Sequence, residues 1–398
     1  MITGKSISAC VALAAFLLGY SPSQAQDYKK LHEQAVVVDT HNDVLINILK
    51  GLDIADNLKG KTHSDLTRFK EGGVDVQIFS VWSDGSYGKG KGFAYANRQI
   101  DSLYAVVARN PDKMVLAKTP AEVMQAVQQQ KLAAMIGVEG GHMIEDNLGY
   151  LDSLYNRGAR YMTLTWNNST SWATSALDES SGKIPNSAKG LNGFGRQVVR
   201  RMNELGMLVD LSHAGEQTFW DVIATTSKPV LVSHSCVKAI NPHFRNLTDE
   251  QIRAVGKNGG VIHVNFDAGF VDPGFGKRRQ QFISRHQAEI DSLRQLDWAD
   301  AAINTLVTKK YATEMDKTRP PLSLLLDHFD HIVQLVGVDH VGLGSDFDGI
   351  SATPQQLDGV QDFPVITKEL LARGYSEADV RKILGENFLR LFRENVKS

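Results

Sequence analysis

Residues 36–45 read VVVDTHNDVL: three valines run into Asp39, His41 and Asp43, each two residues from the next. A β-branched run forms strand readily, and alternate residues of a strand share a face. The three polar side chains are therefore expected together on one side of a strand end. Similar apolar runs recur at AVVVDTHND, VDVQIFSVW, LAAMIGVEGG, ARYMTLTWN, LGMLVDLSH, PVLVSHS, GGVIHVNF and DHVGLGSDFDG, which makes eight. Between them lie amphipathic segments such as DSLYAVVARN, NGFGRQVVRRMNELG, TDEQIRAVGKNG and SLLLDHFDHIVQLVG. These place apolar residues three and four apart and several stop at glycine, as helices do. Eight strands alternating with helices predict an α/β fold, a parallel sheet closed as a (β/α)8 TIM-like barrel. An open doubly wound sheet would carry a glycine-rich phosphate loop after its first strand, and residues 46–60 hold none. The long interval between the predicted seventh and eighth strands, around GKRRQQFISRHQAEIDSLRQL, reads as a helical insertion near the barrel mouth. The tail SEADVRKILGENFLRLF opens on a Ser-x-x-Asp cap and reads as a final docking helix.

The 398 residues carry a formal net charge of −2, and no basic tract or stacking motif directs the chain to nucleic acid. The first 25 residues differ from the rest. Lys5 precedes the apolar run ACVALAAFLLGY, and Ser23 and Ala25 occupy small-residue cleavage positions. That is the layout of a secretory signal peptide, too short to span a membrane. ISAC resembles a lipoprotein box at Cys10, but the apolar run follows that cysteine instead of preceding it. The expectation is a signal peptide at 1–25 cut near Ala25, a single barrel domain at 26–398, and a secreted or periplasmic location. Cys236 is then the one cysteine left, so no internal disulfide forms and a large core must hold the fold.

Polar residues collect at the C-terminal ends of the predicted strands, where barrels carry their active sites. These are His41 and Asp43, Glu139 in GVEGGH, His213 in LSH, His234 in SHS, and Asp346 in GSDFDG. One histidine at a strand end is more often a hydrogen-bonded structural residue than a ligand. Six ionisable groups ending five strands of one barrel are another matter, because burying them unpaired would cost several kcal/mol each. Divalent cations remove the difficulty. Mixed nitrogen and oxygen donors suit Zn²⁺, with Mn²⁺, Co²⁺ and Fe²⁺ also compatible. The ligands ahead of Asp346 over-supply one ion, which points to two with Glu139 shared; such a pair can hold a hydroxide and polarise a carbonyl. His142 is expected to support the Glu139 loop, His263 to lie within its strand, and Cys236 to pack in the core. His32, His63, His243, His286, His328, His331 and His340 read as surface or helix-face residues.

The motifs DTHNDVL, GGVDVQIFSVW, IGVEGGH, RYMTLTWN, GMLVDLSH, VLVSHS, RNLTDEQ, GLGSDFDG and ENFLRLF, in this order, resemble those of the membrane (renal) dipeptidase family, zinc-dependent peptidases on an amidohydrolase-type barrel. The resemblance covers essentially the whole chain after the signal segment. It implies that His41, Asp43 and Glu139 hold one zinc, and Glu139, His213 and His234 the other. It also implies that Asp346 handles the proton of the water shared between the ions, and that Arg245 clasps the C-terminal carboxylate of a dipeptide. A D-residue on the C-terminal side falls within the family's range, and many members are homodimers, although the sequence shows no interface. One position departs. After LTLT the mammalian members carry a histidine that contacts the substrate carbonyl; here the residue is Trp166, whose indole donates one hydrogen bond and carries no charge. Asn167 or Asn168 is a candidate replacement donor. The departure leaves open hydrolysis of a related amide, lactam or N-acyl amino acid, or a non-catalytic metal- or peptide-binding role.

Overall fold

Nine short parallel strands build the sheet: β1 (Val38–Asn42), β2 (Val76–Trp82), β3 (Met114–Leu116), β4 (Leu132–Glu139), β5 (Ala159–Thr163), β6 (Leu208–Asp210), β7 (Leu231–Val232), β8 (Val261–Val264) and β9 (Val341–Leu343). Eight close a ring in the order β1-β2-β4-β5-β6-β7-β8-β9, with β9 pairing back to β1. This is the predicted (β/α)8 barrel. The ninth, β3, pairs with the first half of β4 (Met114 against Leu132), below the point where β5 joins β4 at Ile136. The computed structural model describes residues 22–296 and 300–396. Residues 1–21 of the expected signal segment, including Cys10, lie outside the described residues; a helix, Pro22–Gln34, runs through the expected cleavage point.

Strands of such a barrel are covered on both faces, which is why they read as continuous apolar runs. The alternation survives inside them. In β4, Ala133 and Met135 point inward with Val38, Val76, Ile78, Leu208, Leu231 and Val261, whereas Ala134, Ile136 and Val138 pack outward on the helices. Phe388, Leu389, Leu391 and Phe392 from the C-terminal helix plug the far end of the interior. Gly137 takes an inward position, and a Cβ there would stand 2.0 Å from the Tyr161 ring. The missing side chain lets Tyr161 lie across the barrel toward β1.

Capping residues start the helices where the sequence indicates. Thr248 and Gln251 form a reciprocal capping box before the helix Asp249–Asn258, and Ser376 and Asp379 do the same before Glu377–Arg381. The insertion between β8 and β9 is helical, with helices Phe275–Arg285, Gln287–Gln295, Asp300–Lys310 and Ala312–Asp316. Phe282, Ile290, Ile303, Val307 and Met315 give it a small core of its own. The tail is not one uniform helix: a π-turn, Lys382–Glu386, separates Glu377–Arg381 from Asn387–Asn395. Within it Gly385 lies so close to β1 that a Cβ would meet the Val36 carbonyl oxygen at 2.2 Å.

Candidate metal centre

His41, Asp43, Glu139, His213, His234 and Asp346 converge at the C-terminal mouth of the barrel, and all are buried. Asp39 does not join them. The pairing of β1 with β2 slips between Asp39 and Asn42, so the alternation that would put Asp39 beside His41 is broken. Its carboxylate instead accepts from the Ser345 backbone N–H at 2.8 Å and the Ser345 hydroxyl at 2.6 Å, tying β1 to the loop that carries Asp346.

The three imidazoles are each fixed by a different partner. His41 Nδ1 lies 2.7 Å from the Tyr161 hydroxyl, which donates to the Thr40 carbonyl at 3.2 Å and so accepts from His41. Burial keeps that phenol protonated by pushing its pKa up. His213 Nδ1 lies 3.1 Å from Asn167 Oδ1, which can only accept. His234 Nδ1 lies 2.8 Å from the Ser233 hydroxyl, which donates to Asp210 Oδ2 at 2.6 Å. In every case the proton belongs on Nδ1 and the Nε2 lone pair is free.

Those lone pairs all face carboxylate oxygens. His41 Nε2 stands 3.5 Å from Asp43 Oδ2 and 3.3 Å from Glu139 Oε2. His213 Nε2 is 2.9 Å and His234 Nε2 3.5 Å from the other oxygen, Glu139 Oε1. An arrangement of acceptor against acceptor in a buried site needs a cation. His41 Nε2, His234 Nε2 and Asp43 Oδ1 are indeed buried without a hydrogen-bond partner. Two donors about 2.1 Å from one tetrahedral ion stand about 3.4 Å apart, which matches this spacing. The donors therefore fit metal: Glu139 Oε2 lies nearest His41 and Oε1 nearest His213 and His234, while one donor atom each from His41, Glu139 and His234 also falls within 4.8 Å of the others. Burial depresses His41, yet the negative carboxylates of Glu139 and Asp43 beside it outweigh that and raise its pKa well above the usual value. Burial, and then the charge of Arg245, pushes His213 down to about 4.

Asp346 sits beside this group, its Oδ1 4.0 Å from His41 Nε2, and one donor atom each from His41, Asp43 and Asp346 falls within 4.8 Å of the others. Asn265 donates to its Oδ2 at 2.8 Å. Burial pushes its pKa well up; His41 opposes this, and Asp43 and Glu139 reinforce it. Backbone geometry supports the placement. Asp346 takes a left-handed φ of 60°, and a Cβ on Gly349 would stand 2.1 Å from Asp43 Oδ2 and 2.7 Å from Asp346 Oδ1.

A cleft of about 440 Å³ opens above these residues, lined also by Trp82, Trp166, Asn167, Phe244, Arg245 and Phe270. Arg245 is buried and lies 5.4 Å over the Phe270 ring. Its Nε has no partner, and its two side-chain hydrogen bonds, to the Ser235 hydroxyl and the His234 carbonyl, are long at 3.4 Å. A buried guanidinium held this loosely is ready for an incoming carboxylate.

The family model described as membrane dipeptidase, peptidase family M19, matches residues 25–398. The chain belongs to the membrane dipeptidase family. Mouse Dipeptidase 3 is 30% identical over 379 residues, which cover 92% of this chain and 67% of that protein. Among solved structures, the probable dipeptidase PvdM from Pseudomonas aeruginosa superposes with a TM-score of 0.77 at 23% identity, over 94% of this chain and 99% of that one. A metallopeptidase from Rhodobacter sphaeroides, liganded with a phosphinate mimic of L-Ala-D-Ala, gives 0.73 at 23%, over 91% and 99%. These two structural likenesses carry the barrel fold. Membership makes the protein a metal-dependent dipeptidase, a hydrolase of peptide bonds.

In this dipeptidase Trp166 lines the cleft, its ring 5.0 Å from Trp82 and edge-to-face with it. Asn167, a candidate carbonyl donor in the sequence, also lines the cleft, but its oxygen is committed to His213. Asn168 does not reach the cleft; its amide bonds the Ser169 carbonyl. His142 bonds Ser83 at 2.9 Å and packs under Gly140, which pins the Glu139 loop to the end of β2. His263 stays in the barrel wall, bonded to the Val232 carbonyl, and Cys236 is core. Of the histidines read as surface or helix-face residues, His32 and His328 lie on helices with their rings buried, and His243 lines the cleft. Tyr161, Asp210, Ser233 and Asn265 escaped the sequence reading. Asp210 and Asn265 carry the same strand-end signal as the ligands, whereas Tyr161 sits inside an apolar run and gives none.

Proposed function

We propose that this dipeptidase works with two zinc ions: His41, Asp43 and Glu139 would hold one, and Glu139, His213 and His234 the other. The observation that carries this reading is the division of the Glu139 carboxylate, each oxygen facing a separate set of imidazole lone pairs. Zinc at such a site lowers the pKa of water and polarises a carbonyl oxygen. The protein's residues do the rest. Asp346, raised in pKa and steadied by Asn265, takes the proton of the attacking water and returns it to the leaving amine. Arg245 receives the free carboxylate, which restricts substrates to those whose C-terminus lies one residue beyond the scissile bond. A C-terminal D-residue is included, in keeping with the L-Ala-D-Ala mimic bound by the Rhodobacter relative. The N-terminal layout supports export to the periplasm or medium with removal of residues 1–25.

The test is hydrolysis of L-Ala-L-Ala, L-Ala-D-Ala, their C-terminal amides and a tripeptide. Cleavage of both free dipeptides, with the amides and the tripeptide at least about tenfold slower, is expected. Amides cut as fast as free acids would remove Arg245 from the reading.

A further inference from the structure

Arg245 rises from the loop after β7, and in the closed ring β7 stands opposite β2. A dipeptide with its carboxylate at Arg245 and its carbonyl over Glu139 therefore sends its N-terminal residue toward the β1–β2 side of the cleft. This step rests on the role given to Arg245 above. The cleft wall on that side carries three large apolar side chains beside the polar Asn47, Lys50 and Asp348: Trp82 at the end of β2, Ile46 in the helix Val44–Leu49 after β1, and Ile350 from the turn after β9. All three side chains are half-buried. Trp82, Ile46 and Trp166 belong to none of the hydrophobic clusters of the fold, whereas Ile350 packs against the edge of the main one. Large apolar groups left half-exposed in a cleft, unclaimed by the core, are the mark of a ligand surface.

Trp82 is also held in place. The Gln99 side chain clamps its backbone at both ends, accepting from the Trp82 N–H at 3.1 Å and donating to the Trp82 carbonyl at 2.6 Å. The Trp166 ring then backs the indole edge-to-face, at 72°. The charged residues at this end beyond the candidate metal ligand Asp43 are Lys50 and Asp348, opposite in sign.

We propose that Trp82, Ile46 and Ile350 form the pocket for the side chain of the substrate's N-terminal residue, with Trp166 as its rigid backing. The enzyme accordingly selects dipeptides that begin with a large apolar residue. Burying a Leu or Phe side chain in such a pocket is worth about tenfold or more over glycine.

The experiment compares kcat/KM for X-D-Ala dipeptides with X as Gly, Ala, Leu, Phe or Glu, first on the unaltered zinc enzyme. Leu and Phe should exceed Gly and Glu by about tenfold or more. Trp82→Ala should cut the Phe-to-Gly ratio by about tenfold, and Trp82→Phe should restore most of it. A flat series on the unaltered enzyme overturns the proposal, as does an unchanged ratio in a folded Trp82→Ala variant. If no dipeptide is turned over, the hydrolytic reading fails instead. Calorimetric binding of phosphinate dipeptide mimics with Gly, Leu or Phe at the N-terminal position then decides the pocket. Binding in the order Phe and Leu above Gly supports it, and equal binding overturns it.

Discussion

Three histidines at the mouth of this barrel expose the same nitrogen because three unrelated groups hold the other one. Tyr161 does this for His41, Asn167 for His213, and Ser233 with Asp210 for His234. Such partners typically govern metal affinity nearly as strongly as the ligands do. Asn167→Ala should weaken zinc binding by about ten- to a hundredfold, measured by competition with a chromophoric chelator. An unchanged affinity would mean that the amide does not orient the ring. Asp346→Asn should lower kcat by about a hundredfold or more with zinc content intact. Loss of metal from that variant would identify Asp346 as a ligand. The ligands themselves were legible because each ends a strand on the side where barrels keep their chemistry. Tyr161 was not, since its reach to His41 depends on Gly137, from a different strand, vacating the space for its ring. Asp39 was misread because period-two alternation presumes a regular strand, and β1 slips after Asp39.

At the scale of elements, the eight barrel strands and their helices follow from apolar runs and caps, while the exceptions are local. β3 has three residues, too few to show any alternation. The tail has the expected cap and apolar face, but its π-turn lies where Gly385 meets the Val36 carbonyl, a contact between segments far apart in sequence. Gly385→Ala should therefore destabilise the protein by about 1–3 kcal/mol, read as a lower denaturant midpoint. A neutral effect would show that the helix can draw back from β1 without cost. The insertion between β8 and β9 was legible as helical, yet none of the described residues from 275 to 316 lines the cleft. Its packing around Phe282, Ile303 and Val307 makes it an appendage of the barrel wall.

The whole molecule buries several histidines that do not line the cleft, and they contribute to its response to acid. His328 accepts the Val237 N–H at Nδ1 and faces the Val271 carbonyl with Nε2, an arrangement that needs the neutral ring; burial lowers its pKa to about 4. His263 is lowered to about 3, again by burial. Below pH 6.5 the unfolded chain takes up protons that these folded sites refuse, so stability should fall as pH drops from 6.5 toward 4. Denaturation of the chelated protein across that range should show the loss, and His328→Asn should reduce its slope by about one proton. An unaltered slope would assign the acid response to other groups.

The central claim concerns the metal, and stoichiometric titration tests it most directly. Stripped protein should receive zinc in measured steps, with bound metal and L-Ala-D-Ala hydrolysis followed together. Two equivalents per chain, with full activity reached only at the second, is the predicted result. Full activity at one equivalent, or turnover by the stripped protein, would contradict the division of Glu139 between two ions.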